Sequence, residues 1–260
     1  MKKNIGAALI VSLWLAACGG GGSSSMPPAA KSLSISMYGQ PMVAAATASA
    51  HAQIVALDQA SGPVAASAPT SASDAVGTTI QSLQDALTAL GVPVTVTPQV
   101  MDGTTLHQIV MGEDNGLPPT PDQFKTDPSE WLVVNFQLDD MVTSFDDPAQ
   151  AAAVAQFAQD LTVFAQRAAV SGKKVLAVMP IMTCDLPAPS TAAYGLQTAL
   201  DQATVNSTLS EVGPLPNSDL TPDHLGADCR TPDAFLQNAH VQAVANDIAN
   251  RYKLETASTQ

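Results

Sequence analysis

The chain has 260 residues, of which 46% are hydrophobic, 13% charged and 4% aromatic, with a formal net charge of -13. That apolar fraction excludes a disordered chain, and the length suffices for one substantial core. The acidic balance sets the protein against phosphate backbones, so no nucleic-acid partner is expected, and a single apolar run at the N-terminus excludes a multi-span membrane protein.

Residues 1–18 read MKKNIGAALIVSLWLAAC. Lys2 and Lys3 form a positive n-region, Ile5 to Leu15 a short apolar stretch, and Ala16 and Ala17 precede Cys18, which together make a secretory signal. The LAAC ending resembles the lipobox of bacterial lipoproteins. The resemblance implies cleavage after residue 17 and lipid attachment at Cys18, with the membrane as partner. Gly19, not Asp, follows the cysteine, which by the rules of that family favours the outer membrane of the cell envelope. Residues 18–30, including the run GGGGSSSMPP, then form a flexible tether without apolar pattern. The folded domain is expected over 31–255, with 256–260 as a C-terminal tail.

Within the domain, 32–38 (SLSISMY) alternates as a strand does, and Gly39-Gln40-Pro41 breaks it. Residues 42–76 are rich in Ala, Ser and Pro and carry no readable pattern. Thr78 to Leu90 is helical, with Ile80, Leu83, Leu87 and Leu90 at spacings of three and four and Gly91 as its stop. Val92 to Thr97 is a second strand. Trp131 to Phe136 is a run of mostly apolar residues, as expected for a strand covered on both faces. Asp147 and Pro148 supply a cap and a first-turn proline for a long helix whose stripe is Val154, Phe157, Leu161, Phe164 and Ala168, ended by Gly172. Residues 174–180 form the fourth strand; 192–202 and 233–252 are two further helices. There is no internal repeat.

This alternation predicts an α/β domain: a three-layer, flavodoxin-like parallel sheet flanked by helices, with its site beyond the C-terminal strand ends. Those ends are Tyr38–Pro41, Pro98–Gly103, Gln137–Asp140 and Pro180–Asp185. Cys184 and Cys229 are the two remaining cysteines. In an oxidising compartment they read as a disulfide closing a loop of about 45 residues, stabilising by roughly 4 kcal/mol on the chain-entropy model. The alternative is two separate buried thiols.

The order and spacing of these pieces resemble the SGNH (GDSL-type) hydrolases, three-layer α/β esterases, lipases and acetyl-esterases. The resemblance covers about residues 32–252 and rests on layout more than on intact motifs. The family's first block ends a strand in Gly-Asp-Ser; here Gly39 is kept, Gln40 stands in the Asp place and Pro41 in the place of the nucleophile. Proline has no hydroxyl and cannot attack an ester. Of the second block only Gly103 remains, with Val100 where the oxyanion glycine would fall. In the third block, Gly-x-Asn-Asp, Gln137 takes the Gly place, Asp139 the Asn place and Asp140 the Asp place. A carboxylate at Asp139 would repel a developing oxyanion. In the last block, Asp-x-x-His-Pro, Asp228 and Pro232 are kept and Thr231 replaces the base. A threonine cannot take the proton that a serine nucleophile must lose.

The resemblance therefore implies a domain whose catalytic triad is lost. A crevice at Gly39, Gln40, Pro41, Gly103, Gln137, Asp139 and Thr231 would remain to bind an envelope glycan, an acyl ligand or a protein partner. Two alternatives stay open. One is a divergent esterase or deacetylase with His224 as base, oriented by Asp223 or Asp228, and a hydroxyl yet to be assigned; the other is a structural envelope lipoprotein. His51, His107 and His240 read as surface or packing residues. Gathered at one end of the sheet, Asp139, Asp140, Asp146, Asp147 and Asp185 would offer oxygen ligands to a divalent cation, but helix capping and a solvated acidic rim explain them better. No GxSxG elbow, Walker loop or HExxH occurs, and no cofactor or metal is expected.

Overall fold

The central sheet is built from five parallel strands in the spatial order β2-β1-β3-β4-β5. The strands are β1 (Leu33–Gly39), β2 (Val94–Val100), β3 (Trp131–Asn135), β4 (Lys174–Val178) and β5 (Ser210–Val212). A computed structural model describes residues 31–43, 72–113, 117–136, 138, 148–184, 192–216 and 222–258. Among the described residues five α-helices accompany the sheet: α1 (Ala72–Ala89), α2 (Leu106–Met111), α3 (Pro148–Val170), α4 (Ala192–Asn206) and α5 (Ala234–Ala257). The three-layer α/β architecture expected from the alternation is the one observed.

The period of two along β1 sorts its side chains between two cores. Leu33, Ile35 and Met37 face α1 and α5, where Leu83, Leu87, Val244 and Ile248 are buried with them. Tyr38 faces the other layer, among Phe124, Leu132, Val134, Leu161, Phe164 and Leu196 from β3, α3, α4 and the segment before β3. Each fully buried large side chain stabilises the fold by roughly 1.5–3 kcal/mol, which explains why β3, with both faces covered, consists of five buried residues.

Several boundaries differ from the sequence expectations. α1 begins at Ala72, six residues before the periodic pattern, and α5 runs to Ala257, into the stretch assigned to the tail. Its last turns are tied down: the Tyr252 hydroxyl donates to the Lys31 carbonyl at 2.6 Å, and Glu255 pairs with Lys174. Two elements were not anticipated. β5 has only three residues, too few for a period to register. α2 has six, but its entry carries a capping box: Thr105 accepts from the Gln108 N–H, and the Gln108 side chain accepts from the Thr105 N–H. The expected cap Asp147 lies outside the described residues.

The chain goes from β1 outward to β2, then returns past β1 to β3. The direction of winding thus reverses between β1 and β3. In sheets of this order a ligand crevice opens at that point.

Candidate functional site

β1 ends at Gly39, whose φ is +96°. A Cβ there would stand 2.3 Å from the Asn135 carbonyl oxygen, so only glycine allows the turn after β1 to lie this close to β3. The contact is used in both directions. The Gln40 N–H donates to the Asn135 carbonyl at 2.7 Å, and Asn135 Nδ2 donates to the Gln40 carbonyl at 2.8 Å. Immediately beyond, the Met42 and Val43 N–H groups both donate to Thr79 Oγ1 of α1. The segment from Gln40 to Val43 is held from two sides, and Pro41 and Met42 become wall residues.

The wall belongs to a cavity of about 330 Å³ over the strand ends. The segment after β1 contributes Pro41 and Met42; β3 contributes Asn135, with Leu138 just beyond it; Pro180, Ile181 and Thr183 follow β4. Ala192, Ala193 and Leu196 of α4 line one side, and Arg230, Pro232 and His240 the other.

The rim at Arg230 is a small covalent clamp. Cys184 and Cys229 form a disulfide with their Cα atoms 5.1 Å apart, and the Cys184 N–H donates to the Cys229 carbonyl at 3.0 Å. Asp228 closes the turn: its carboxylate accepts from the N–H groups of Arg230 and Thr231, both at 3.0 Å, and from the Thr231 hydroxyl at 2.6 Å. These hydrogen bonds, the Thr231 hydroxyl foremost, lower the Asp228 pKa to about 2.

His240 lies in α5 and is 4% exposed. Its Nε2 is 2.8 Å from the Met179 carbonyl. A carbonyl only accepts, so Nε2 carries the proton. Burial pushes this imidazole below its ordinary pKa, outweighing the opposite pull of the Met179 carbonyl. His224, in a short 3-10 turn at Pro222–His224, lies outside the cavity wall. Its Nδ1 is 2.9 Å from Asp233 Oδ2, and its ring stacks on Phe235 at 4.2 Å. Asp233 also caps α5 by accepting from the Leu236 N–H.

Comparison with known proteins finds no matching family model and no matching curated protein. Among solved structures, a protein of Slackia heliotrinireducens, provisionally named an SGNH hydrolase, superposes with a TM-score of 0.51 at 13% identity, over 84% of this chain and 100% of that one. The fold is SGNH-hydrolase-like. The acetylxylan esterase Axe2 of Geobacillus stearothermophilus matches at TM-score 0.47 and 13% identity, over 85% of this chain and 95% of that one. An α/β hydrolase from the metagenome of Lake Arreo, Spain, matches at 0.45 and 14%, also over 85% and 95%.

On this SGNH-like frame the residues singled out in the sequence fall as follows. Pro41 lines the cavity, with Gly39 and Gln40 forming the turn that carries it. Thr231 sits between the wall residues Arg230 and Pro232 with its hydroxyl turned onto Asp228. Gly103 is not part of the wall; it lies in the turn before α2, where Asp102 accepts from Thr104. Gln137, Asp139, Asp140, Asp146, Asp147, Asp185, His51 and Cys18 lie outside the described residues. His224 is partnered by Asp233, whereas Asp228 is engaged in its own turn and Asp223 is exposed. His107 belongs to α2 and pairs with Asp160 of α3 at 2.9 Å.

Sequence reasoning passed over Asn135, Asp233 and the placement of His240. Asn135 sits inside an apolar strand run, the one position where a polar residue needs a partner, and that was a usable signal. Nothing local distinguishes His240 from a surface histidine. No group of three or more His, Cys, Asp or Glu side chains is arranged to hold a metal among the described residues.

Proposed function

We propose that the protein is a lipid-anchored cell-envelope protein whose SGNH-like domain binds a small ligand in the strand-end cavity without cleaving it. The observation that carries this reading is the wall itself. Pro41 stands where the family resemblance would put the nucleophile, and Thr183 is the one hydroxyl residue on the wall among the described residues. At the place of the family's base, the Thr231 hydroxyl donates a 2.6 Å hydrogen bond to Asp228, and a threonine hydroxyl is far too weak a base to relay a proton at neutral pH. The lipobox-like LAAC at Cys18 supports the anchor, and the acidic composition supports a ligand other than nucleic acid.

The test is to incubate the protein with a serine-directed fluorophosphonate and with an activated acetate ester. Neither an adduct by intact mass nor turnover above buffer is expected, beside an active control esterase. A stoichiometric adduct overturns the reading. The anchor is tested separately: palmitate labelling should be lost in Cys18→Ser.

One arrangement favours a second reading, a divergent hydrolase. Asp233 holds His224 through Nδ1, which leaves Nε2 available, the polarity that a general base requires. On that reading an ester would be cleaved, and His224→Ala would abolish the cleavage.

A further inference from the structure

His240 lines the cavity and is more than nine-tenths buried. Of its two ring nitrogens Nε2 is taken by the Met179 carbonyl, and Nδ1 has no protein partner among the described residues.

We propose that His240 Nδ1 is the acceptor that reads the ligand, and that the cavity takes a neutral, hydroxyl-rich molecule such as a sugar ring. The inference rests on the binding function proposed above and narrows its ligand class. With Nε2–H committed to a carbonyl, Nδ1 bears a lone pair and can only accept, so the ligand must bring an O–H or N–H donor. An alkyl chain would satisfy the apolar wall of Met42, Ile181 and Leu196 but would strand that lone pair away from water. A carboxylate would set its negative charge against the lone pair, and burial opposes the protonation that would relieve the conflict. A hydroxyl both donates and accepts: it can donate to Nδ1 while adjacent ligand oxygens accept from Thr183 and from the guanidinium of Arg230, whose five N–H donors serve more than one partner.

The experiment uses the full chain in detergent micelles with 15N in its histidine rings. The His240 signals are assigned through the Nε2–H held by Met179 and through their loss in His240→Phe. The probes are a panel of neutral methyl glycosides (gluco, galacto, xylo and N-acetylglucosamine forms) and, separately, hexanoate. The expected result is a saturable upfield shift of Nδ1 with at least one glycoside, and binding weakened about tenfold in His240→Phe, the loss of one hydrogen bond to the ligand. If His240→Phe does not fold, the Nδ1 shift in the unmodified chain decides alone. If hexanoate perturbs the methyl groups of Ile181 and Leu196 while no glycoside moves Nδ1, the ligand class is wrong and the binding function stands. If neither set of probes perturbs the cavity, both are overturned.

Discussion

The carbonyl oxygen of Asn135 occupies the space that a side chain on Gly39 would need, 2.3 Å from the position of its Cβ. This closeness brings the loop after β1 onto the end of β3 and allows the paired hydrogen bonds between Gln40 and Asn135. Gly39→Ala would meet both a backbone clash and a φ of +96°, which a residue with a Cβ adopts at a cost. The expected destabilisation is about 3 kcal/mol or more, read from the midpoint of urea unfolding. A variant as stable as the parent would show that the β1–β3 junction is looser than this geometry.

A second relationship lies on the opposite layer. Asp127 accepts from the hydroxyls of Ser36 at 2.9 Å and Tyr38 at 2.7 Å, and from the Ser129 N–H at 2.8 Å. Burial, then Asp127, raises the Tyr38 pKa far above the ordinary phenol value. Asp127→Ala leaves the buried Tyr38 hydroxyl without an acceptor and should cost about 2–4 kcal/mol. Asp127→Asn keeps an acceptor and should cost about 1 kcal/mol. Equal losses for the two substitutions in chemical denaturation would show that the carboxylate charge, not acceptor geometry, holds the segment.

The disulfide spans 45 residues of sequence and joins two stretches of the cavity wall, Thr183 next to Cys184 and Arg230 next to Cys229. Replacing both cysteines by serine should lower stability by about 4 kcal/mol on the chain-entropy model. Hydrogen exchange should accelerate first at Gly226 and Thr231, whose N–H groups are held within the clamped loop. Unchanged protection there would place the stabilising effect elsewhere.

Two groups give pH dependences of the same sign in different windows. His240 is buried and its pKa is lowered, so below about pH 6.5 the unfolded chain binds a proton that the folded chain does not. Stability should fall as the pH drops through that value, and His240→Phe should flatten the slope. Asp228 has its pKa lowered to about 2 by the turn it closes. Its contribution is present above pH 4 and is lost as the pH falls towards 2. A carboxyl titration followed by NMR should put its midpoint near 2 in the parent and closer to 4 in Thr231→Val, which removes the strongest donor.

What could be read along the chain was what short-range periodicity writes. The alternation over β1, the apolar run of β3, and the stripes of α1 and α3 each follow from a side chain's need to face a covering layer, and their succession implies a parallel sheet with helices on both sides. The same alternation put the site beyond the C-terminal strand ends. Elements too short to show a period, α2 and β5, stayed hidden, although the Thr105–Gln108 capping box was a local signal for the first.

The sequence by itself determined the fold class, the positions of the long elements and the absence of a hydroxyl at position 41, because these depend on residue type and on neighbours within a few positions. Only the tertiary structure decided that Asp233, not Asp223 or Asp228, holds His224, that Asn135 straps down the turn after Gly39, and that His240 is a buried wall residue with one nitrogen uncommitted. Gly39 and Asn135, and His240 and Met179, lie far apart in sequence. Such pairs meet only after the sheet has brought the strand ends together, and no local propensity encodes that meeting.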